Sequence, residues 1–304
     1  MSLGVLNNIS AIYAQNNLNQ TQASLQKVLT QLSSGSRINS GADDAAGLSL
    51  ACGLAGNQSA LSQSVQNASQ GVGYLQTADG ALSQVNNLLN RAVTLATESS
   101  NGTLTSSQST AADQEFQSIL SEISNIGSTT TYNGNAVFGG SSGVAIYTGD
   151  GTTGGSFTDT LQIAALSTSS VGDAGGTLTY TPASGTSGAT LTYAAGTTGS
   201  VDFSSADLTS QSNAQAALAL VNTAIADVAG QRGYIGAQIN TLNAVSNVAS
   251  TEQENLAAAE NSVTATDYSV ATSDMSKYEI LTQTGISALA QANSVQQEVT
   301  KLLQ

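Results

Sequence analysis

Two narrow apolar stripes, one at each end of the chain, constrain its fold more than anything between them. In the first, Ala11, Ala14, Leu18, Thr21, Leu25, Val28 and Leu32 follow one another at alternating three- and four-residue steps, with Asn and Gln in most other positions. In the second, Leu281, Gly285, Ala288, Ala292, Val295, Val299 and Leu302 do the same. That rhythm is a helix with a single apolar edge. One thin edge buries little surface, and an isolated helix of this kind is marginal in water. Each end therefore needs a partner, and the nearest candidate is the other end. Two outcomes fit the pattern: outer helices of one intramolecular bundle, or helices that order only on assembly. The small, weakly hydrophobic residues at many stripe positions lean towards the second, in which both ends are disordered in the free monomer.

The first stripe stops abruptly. Residues 32–50 read LSSGSRINSGADDAAGLSL, so Gly35, Arg37, Asn39 and Gly41 occupy a break and an apolar pattern resumes behind Asp43 and Asp44. Both aspartates suit a helix N-terminus, as cap and as charge favourable to the macrodipole. Neighbouring helical side chains point about 100° apart, so the pair does not converge on a metal or a shared proton. A long helix then runs to about Ser99, with Leu61, Val65, Ala68, Val72, Leu75, Ala78, Leu82, Val85, Leu89, Ala92 and Ala96 on one face. Ser-Ser-Asn-Gly (99–102) ends it. A shorter helix follows, carrying Ala112, Phe116, Ile119, Ile123 and Ile126, with Gly127 in the stop position.

From Tyr132 the chemistry changes. Gly, Thr and Ser dominate to about residue 205, with strand-like patches at AVF, VAIYT, DTLQIAAL, GTLTY and ATLTY. The similar stretches TLTYTPASG and TLTYAAGTT predict a small hairpin or repeat. Helix resumes near Asp207 or Ser212, with a face of Leu218, Val221, Ile225, Val228, Ile235, Ile239, Leu242 and Val245 and room for an interruption at Ala265–Tyr268. The expected fold class is mainly α with a small β-rich insertion. The ends, 1–42 and 270–304, pair as a coiled coil. Residues 43–169 and 206–269 form a helical bundle domain with hairpins, and 170–205 make a surface excursion too small for its own core.

Charge follows the same division. The formal net charge is −14, which disfavours nucleic acid or an anionic membrane as partner. Residues 1–42 carry +2 and 270–304 carry −1, leaving −15 between them. There is no His and a single Cys, Cys52, so His-based acid–base chemistry, the usual zinc sites and an internal disulfide are all excluded. The opening MSLGVLNNIS has no basic region followed by an apolar core, so no cleaved secretory signal is expected. No apolar run approaches the roughly 20 residues of a membrane-spanning helix.

Motifs that suggest chemistry have plainer explanations. Gly149-Asp150-Gly151-Thr152-Thr153-Gly154 fits G-x-G-x-x-G, but a dinucleotide site needs a helix after the loop. Here Phe157, Leu161 and Ile163 alternate as a strand, so a hairpin turn is expected. Cys52 lacks a His to activate it and reads as a small hydrophobe. Asn-x-Ser/Thr occurs at Asn8, Asn57, Asn67 and Asn101, of which three fall in predicted helices. No cofactor, metal or catalytic constellation is expected.

Three blocks resemble the signatures of bacterial flagellin. NNLNQTQASLQKVLTQLSSGSRINSGADDAAGLSL is similar to its N-terminal signature, GVGYLQTADGALSQVNNLLNRAVTLATESSNGT to its next block, and DYSVATSDMSKYEILTQTGISALAQANSVQQEVTKLLQ to its C-terminal signature. The resemblance covers roughly residues 1–138 and 208–304 and implies a self-assembling filament subunit, exported unfolded through the flagellar type III apparatus. It would polymerise beneath a distal cap outside the cell. The terminal helices would line the filament core, with contacts at Leu18, Leu25, Val28, Leu32, Leu281, Ala288, Val295, Val299 and Leu302. Gly35, Arg37, Asn39, Gly41, Asp43 and Asp44 would connect that core to the outer helical domain. Implied partners are further copies of the chain, an export chaperone, the filament cap and hook-associated proteins. Family members recognised by a vertebrate Toll-like receptor use an Arg, a Leu and a Glu that fall here on Arg91, Leu95 and Glu115; packing between subunits is the alternative role for them. Cys52 and Gln296, where many members have Pro, depart from the family pattern. Two other readings stay open: the related hook–filament junction protein, and a secreted enzyme on a helical scaffold, for which the residues offer no convergent polar site.

Overall fold

In a computed structural model of the 304-residue chain, residues 8–138, 144–149, 158–161, 163–171, 177–179, 190–192 and 201–302 are described. Five helices carry most of them: α1 (Ile9–Ser34), α2 (Ala45–Ser99), α3 (Ser106–Thr129), α4 (Gln211–Thr264) and α5 (Tyr268–Leu302). Between α3 and α4 lie three antiparallel two-stranded ribbons: β1 (Thr131–Tyr132) with β2 (Asn135–Ala136), β3 (Val144–Tyr147) with β4 (Thr158–Leu161), and β5 (Thr177–Thr179) with β6 (Thr190–Thr192). The predominantly helical class with a small β-rich insertion is therefore present.

The helix boundaries have local causes. Asn8 caps α1 by accepting from the Ala11 N–H, and Gly35, left-handed at φ 71°, closes it by donating to the Gln31 carbonyl. A side chain at that φ is disfavoured, so a glycine belongs there. Of the two aspartates, Asp44 is the cap of α2, accepting from the Gly47 N–H at 2.8 Å. At Thr105 the hydroxyl and the Gln108 amide reciprocally satisfy backbone N–H groups and start α3. Gly127 does not stop α3, which runs on to Thr129; it is glycine because a Cβ there would collide with the Leu166 carbonyl. Asn133 (φ 50°) and Gly134 (φ 80°) form the two-residue turn between β1 and β2, the pairing a type I′ hairpin requires.

The chain divides into two compact units, residues 1–56 with 255–304 and residues 57–254. Of the boundaries drawn at 42 and 270, the first falls in the break between α1 and α2 and the second just inside α5, whereas these units divide within α2 and α4. The unit of residues 57–254 has a dense interior in which Leu75, Leu82, Leu89, Phe116, Ile123, Phe203, Leu208, Ile235 and Leu242 are almost fully buried. Arg232 Nε pairs with Asp79 Oδ1 at 2.7 Å and ties α4 to α2. Gln231 and Gln238 replace apolar residues on the inner face of α4, and both are buried. β3 and β4 pair from Val144↔Leu161 to Tyr147↔Thr158, so the glycine motif lies between two strands, and the next described element after it is a strand. Of its residues, Asp150–Gly154 lie outside the described ones. Val171 and Val201, both buried, bridge one another at the base of the excursion.

Candidate functional site: the paired terminal helices

In the unit of residues 1–56 and 255–304, α1 and α5 pack side by side. They run antiparallel: the Asn8 amide donates to the Ala292 carbonyl at 3.0 Å, and Gly35 lies against Tyr268 at the other end. On α1 the withdrawn positions are those of the apolar stripe. Leu18, Leu25 and Leu32 are half-buried and Val28 is buried. Opposite Leu18 stands Gly285, where an added Cβ would come within 3.2 Å of Leu18 Cδ1. The two helices approach closely at that level because one of them has no side chain there.

On α5 the inner face differs from the stripe read in the sequence. Ala271, Met275, Tyr278, Thr282, Gly285, Leu289 and Ala292 are the withdrawn residues, while Leu281, Ala288 and Val295 point to solvent. The cause is that apolar residues surround this helix. Counting by size picks Leu281, yet the fit to α1 withdraws Thr282 and Leu289, one step further round, together with Gly285 and Ala292 of the stripe itself. The side chains of Val299 and Leu302 lie outside the described residues.

The outer surface of the pair carries ten large apolar side chains among Asn, Gln, Ser and Thr. Ile9, Ile12, Tyr13 and Leu29 on α1, and Tyr268, Val270, Ile280, Leu281, Ile286 and Val295 on α5, are each more than 40% exposed. Unpaired surfaces of folded chains rarely carry so many large apolar side chains together. This surface, and not a cleft, is the candidate functional feature. Among the described residues no group of His, Cys, Asp or Glu could hold a metal ion, and no helix is long and apolar enough to cross a membrane.

The break between α1 and α2 is built onto the break between α4 and α5. Ser36 forms an antiparallel bridge with Ala265, Arg37 N–H donates to the Thr264 carbonyl at 2.7 Å, and Thr266 N–H donates to the Gly35 carbonyl at 3.1 Å. The Arg37 guanidinium donates to the Val263 carbonyl at 2.8 Å, so a cation sits where the end of α4 leaves carbonyls unpaired. Asn39 donates from its amide to the Ser36 carbonyl, and Gly41 is exposed. Asp43 is a clamp and not a cap. Its carboxylate pairs with Lys27 at 2.8 Å and accepts from the Asn39 and Ser40 N–H groups. Lys27 first, then these N–H groups, lower its pKa from 3.8 to about 2.

The three receptor-type positions do not form one exposed patch. Arg91 Nε donates to Glu115 Oε1 at 2.7 Å on the surface, and the contact holds Glu115 below its ordinary pKa. Leu95 is buried at 3% exposure in the core between helices, which removes it as a surface contact. Cys52 is exposed.

Comparison with known proteins matches the same terminal blocks. The profile of the bacterial flagellin N-terminal helical region covers residues 5–143, and that of the C-terminal helical region covers 218–303. The flagellin of Listeria monocytogenes is 30% identical over 97% of this chain and 98% of its own length. Polar flagellin F of Vibrio parahaemolyticus is 30% identical over 96% of this chain and 97% of its own. The crystal structure of Bacillus cereus flagellin, 23% identical, covers 64% of this chain and 94% of that one at a TM-score of 0.39. The relatives span this chain almost end to end, and the chain belongs to the bacterial flagellin family of structural filament proteins.

Proposed function

We propose that this chain polymerises with copies of itself through its paired terminal helices, as a subunit of the extracellular flagellar filament. The exposed apolar outer surface of α1 and α5 carries this reading. Burying such side chains contributes about 1.5–3 kcal/mol each, a gain that a free monomer forgoes and an assembly collects. Export unfolded through the flagellar type III apparatus is compatible with the same design, because a pair with so little interior costs little to open. On this reading an export chaperone covers the apolar edges before assembly, and the cap and hook-associated proteins meet them at the filament ends. Recognition by a vertebrate Toll-like receptor would rest on Arg91 and Glu115, without Leu95.

The test is a double substitution on the outer surface, Ile12→Asp with Ile280→Asp, at positions 53% and 66% exposed. Monomer helicity is expected to persist while seeded polymerisation, followed by electron microscopy, is abolished. Filaments of ordinary length from the variant would overturn the proposal. Short rings from the unsubstituted chain would instead indicate the hook–filament junction role.

A further inference from the structure

The sequence contains two Asn-Gly steps, Asn101-Gly102 and Asn133-Gly134, both exposed. Asn-Gly is the dipeptide most prone to spontaneous rearrangement, because glycine offers no side chain to hinder its backbone nitrogen. The reaction is internal. The deprotonated Gly nitrogen attacks the Asn Cγ, the Cγ–Nδ2 bond breaks, and ammonia leaves with the proton. The resulting succinimide then takes up water at one of its two carbonyls. Opening at the side-chain carbonyl gives aspartate; opening at the backbone carbonyl gives isoaspartate, with the chain rerouted through the side chain.

Ring closure requires the Asn backbone and side chain to rotate until Cγ meets the next nitrogen, so the two sites differ in what opposes rotation. Asn133 is fixed in the left-handed region at φ 50°, with Gly134 at φ 80°. Strand pairs Tyr132↔Asn135 and Thr131↔Ala136 close the turn immediately behind it. The Tyr132 ring packs edge-on against Tyr74, centroids 5.9 Å apart, and the two residues after β2, Val137 and Phe138, are buried. Rotating Asn133 would dismantle the hairpin. Asn101 lies in the turn after α2, where its N–H donates to the Glu98 carbonyl at 3.1 Å and its carbonyl accepts one long bond from the Leu104 N–H at 3.4 Å. Among the described residues nothing holds its side-chain amide or the Gly102 N–H. This inference is independent of the assembly role.

We infer that Asn101 is a self-modifying site, converting through succinimide to aspartate and isoaspartate, and that the hairpin protects Asn133 from the same chemistry. Conversion would matter locally. It adds a negative charge at the C-terminal end of α2, three residues from Glu98, where the macrodipole disfavours one. Isoaspartate also adds a backbone methylene beside Ser100, whose carbonyl accepts from Gln211.

The experiment incubates the full chain, folded and in denaturant, in warm, mildly alkaline buffer. Isoaspartate and aspartate at each site are then quantified by peptide mass mapping with a carboxyl methyltransferase label. In denaturant both sites are expected to convert alike. In the folded chain Asn133 is expected to convert roughly tenfold more slowly than Asn101, equivalent to about 1.4 kcal/mol in barrier. Gly102→Ala supplies the control: its φ is not in the left-handed region and a Cβ there meets only the end of the Gln211 side chain at 3.4 Å. That variant is expected to keep its melting temperature and lose conversion at Asn101. Equal rates at the two sites in the folded chain, or an Asn101 that stays intact until the chain is unfolded, would overturn the inference.

Discussion

The two units of this chain spend their apolar residues in opposite ways. Among the described residues, the unit of 57–254 buries Leu75, Leu82, Leu89, Phe116, Ile123, Ile235, Leu242 and many others, and leaves only two large apolar side chains, Tyr147 and Val248, exposed. The terminal unit buries Val28, Ile38, Ala51 and Ala271 and exposes eleven large ones. Composition alone does not separate them, since both are rich in Ala, Leu, Val and Ile. What differs is the number of neighbours each helix has. A helix among several partners can turn apolar residues inward, while a helix with one partner has a second apolar side to fill. On the proposed reading, the terminal pair is part of a packing arrangement whose remaining members are other copies.

The largest expected effect separates the two kinds of surface. Phe116→Ala, at a fully buried position, should cost about 3–5 kcal/mol and lower the melting temperature of the unit of 57–254. Chemical denaturation followed by circular dichroism checks this. Comparable loss from alanine at exposed Ile280 would erase the contrast. A smaller effect belongs to the interface between the terminal helices. Gly285→Leu would drive a side chain into Leu18, whose Cδ1 already lies 3.2 Å from an added Cβ. Overpacking of this kind costs about 1–3 kcal/mol and should weaken the packing of α1 on α5 while leaving the unit of 57–254 unchanged, as read by amide exchange of each unit in the seeded filament.

The smallest effect is the response of the connector to acid. Asp43 has a folded pKa of about 2 against an ordinary 3.8. Its depressed pKa contributes stability that is fully present above the ordinary value and is lost as the pH falls through about 2. Acid titration should therefore loosen the Lys27–Asp43 clamp in that window, and Asp43→Asn should flatten the acid limb. Helical signal of the two chains across the window provides the check. An identical acid response in both would remove Asp43 from the mechanism.

Much of this was legible in the sequence, for reasons that can be named. The long helices, the breaks near Ser34 and Ala265, and the apolar face from Leu61 to Ala96 follow from periodicity, which burial enforces over many turns. The α1 stripe was equally clear because Asn and Gln outline it. On α5 the stripe held at Gly285 and Ala292 and missed at Leu281, Ala288 and Val295, because Ile280, Leu281 and Ile286 outside rival Met275, Tyr278 and Leu289 inside, and only the fit to α1 decides. The roles of Asp43 and Asp44 could not be separated, since Lys27 and the Asn39 and Ser40 N–H groups meet Asp43 only after the chain turns. The reciprocal cap at Thr105 and Gln108 went unread, although Thr-x-x-Gln before an apolar run is its signal. Gly127 was misread because its close neighbour, Leu166, is distant in sequence, and Leu95 because a motif position does not reveal burial.

Amide hydrogen exchange on the full chain, as monomer and as seeded filament, decides whether the terminal helices order on assembly. α1 and α5 are expected to exchange quickly in the monomer and to become strongly protected in the filament, while Leu75–Leu89 and Phe116–Ile123 are protected in both. Strong protection of both terminal helices in the free monomer, unchanged on polymerisation, would contradict this expectation.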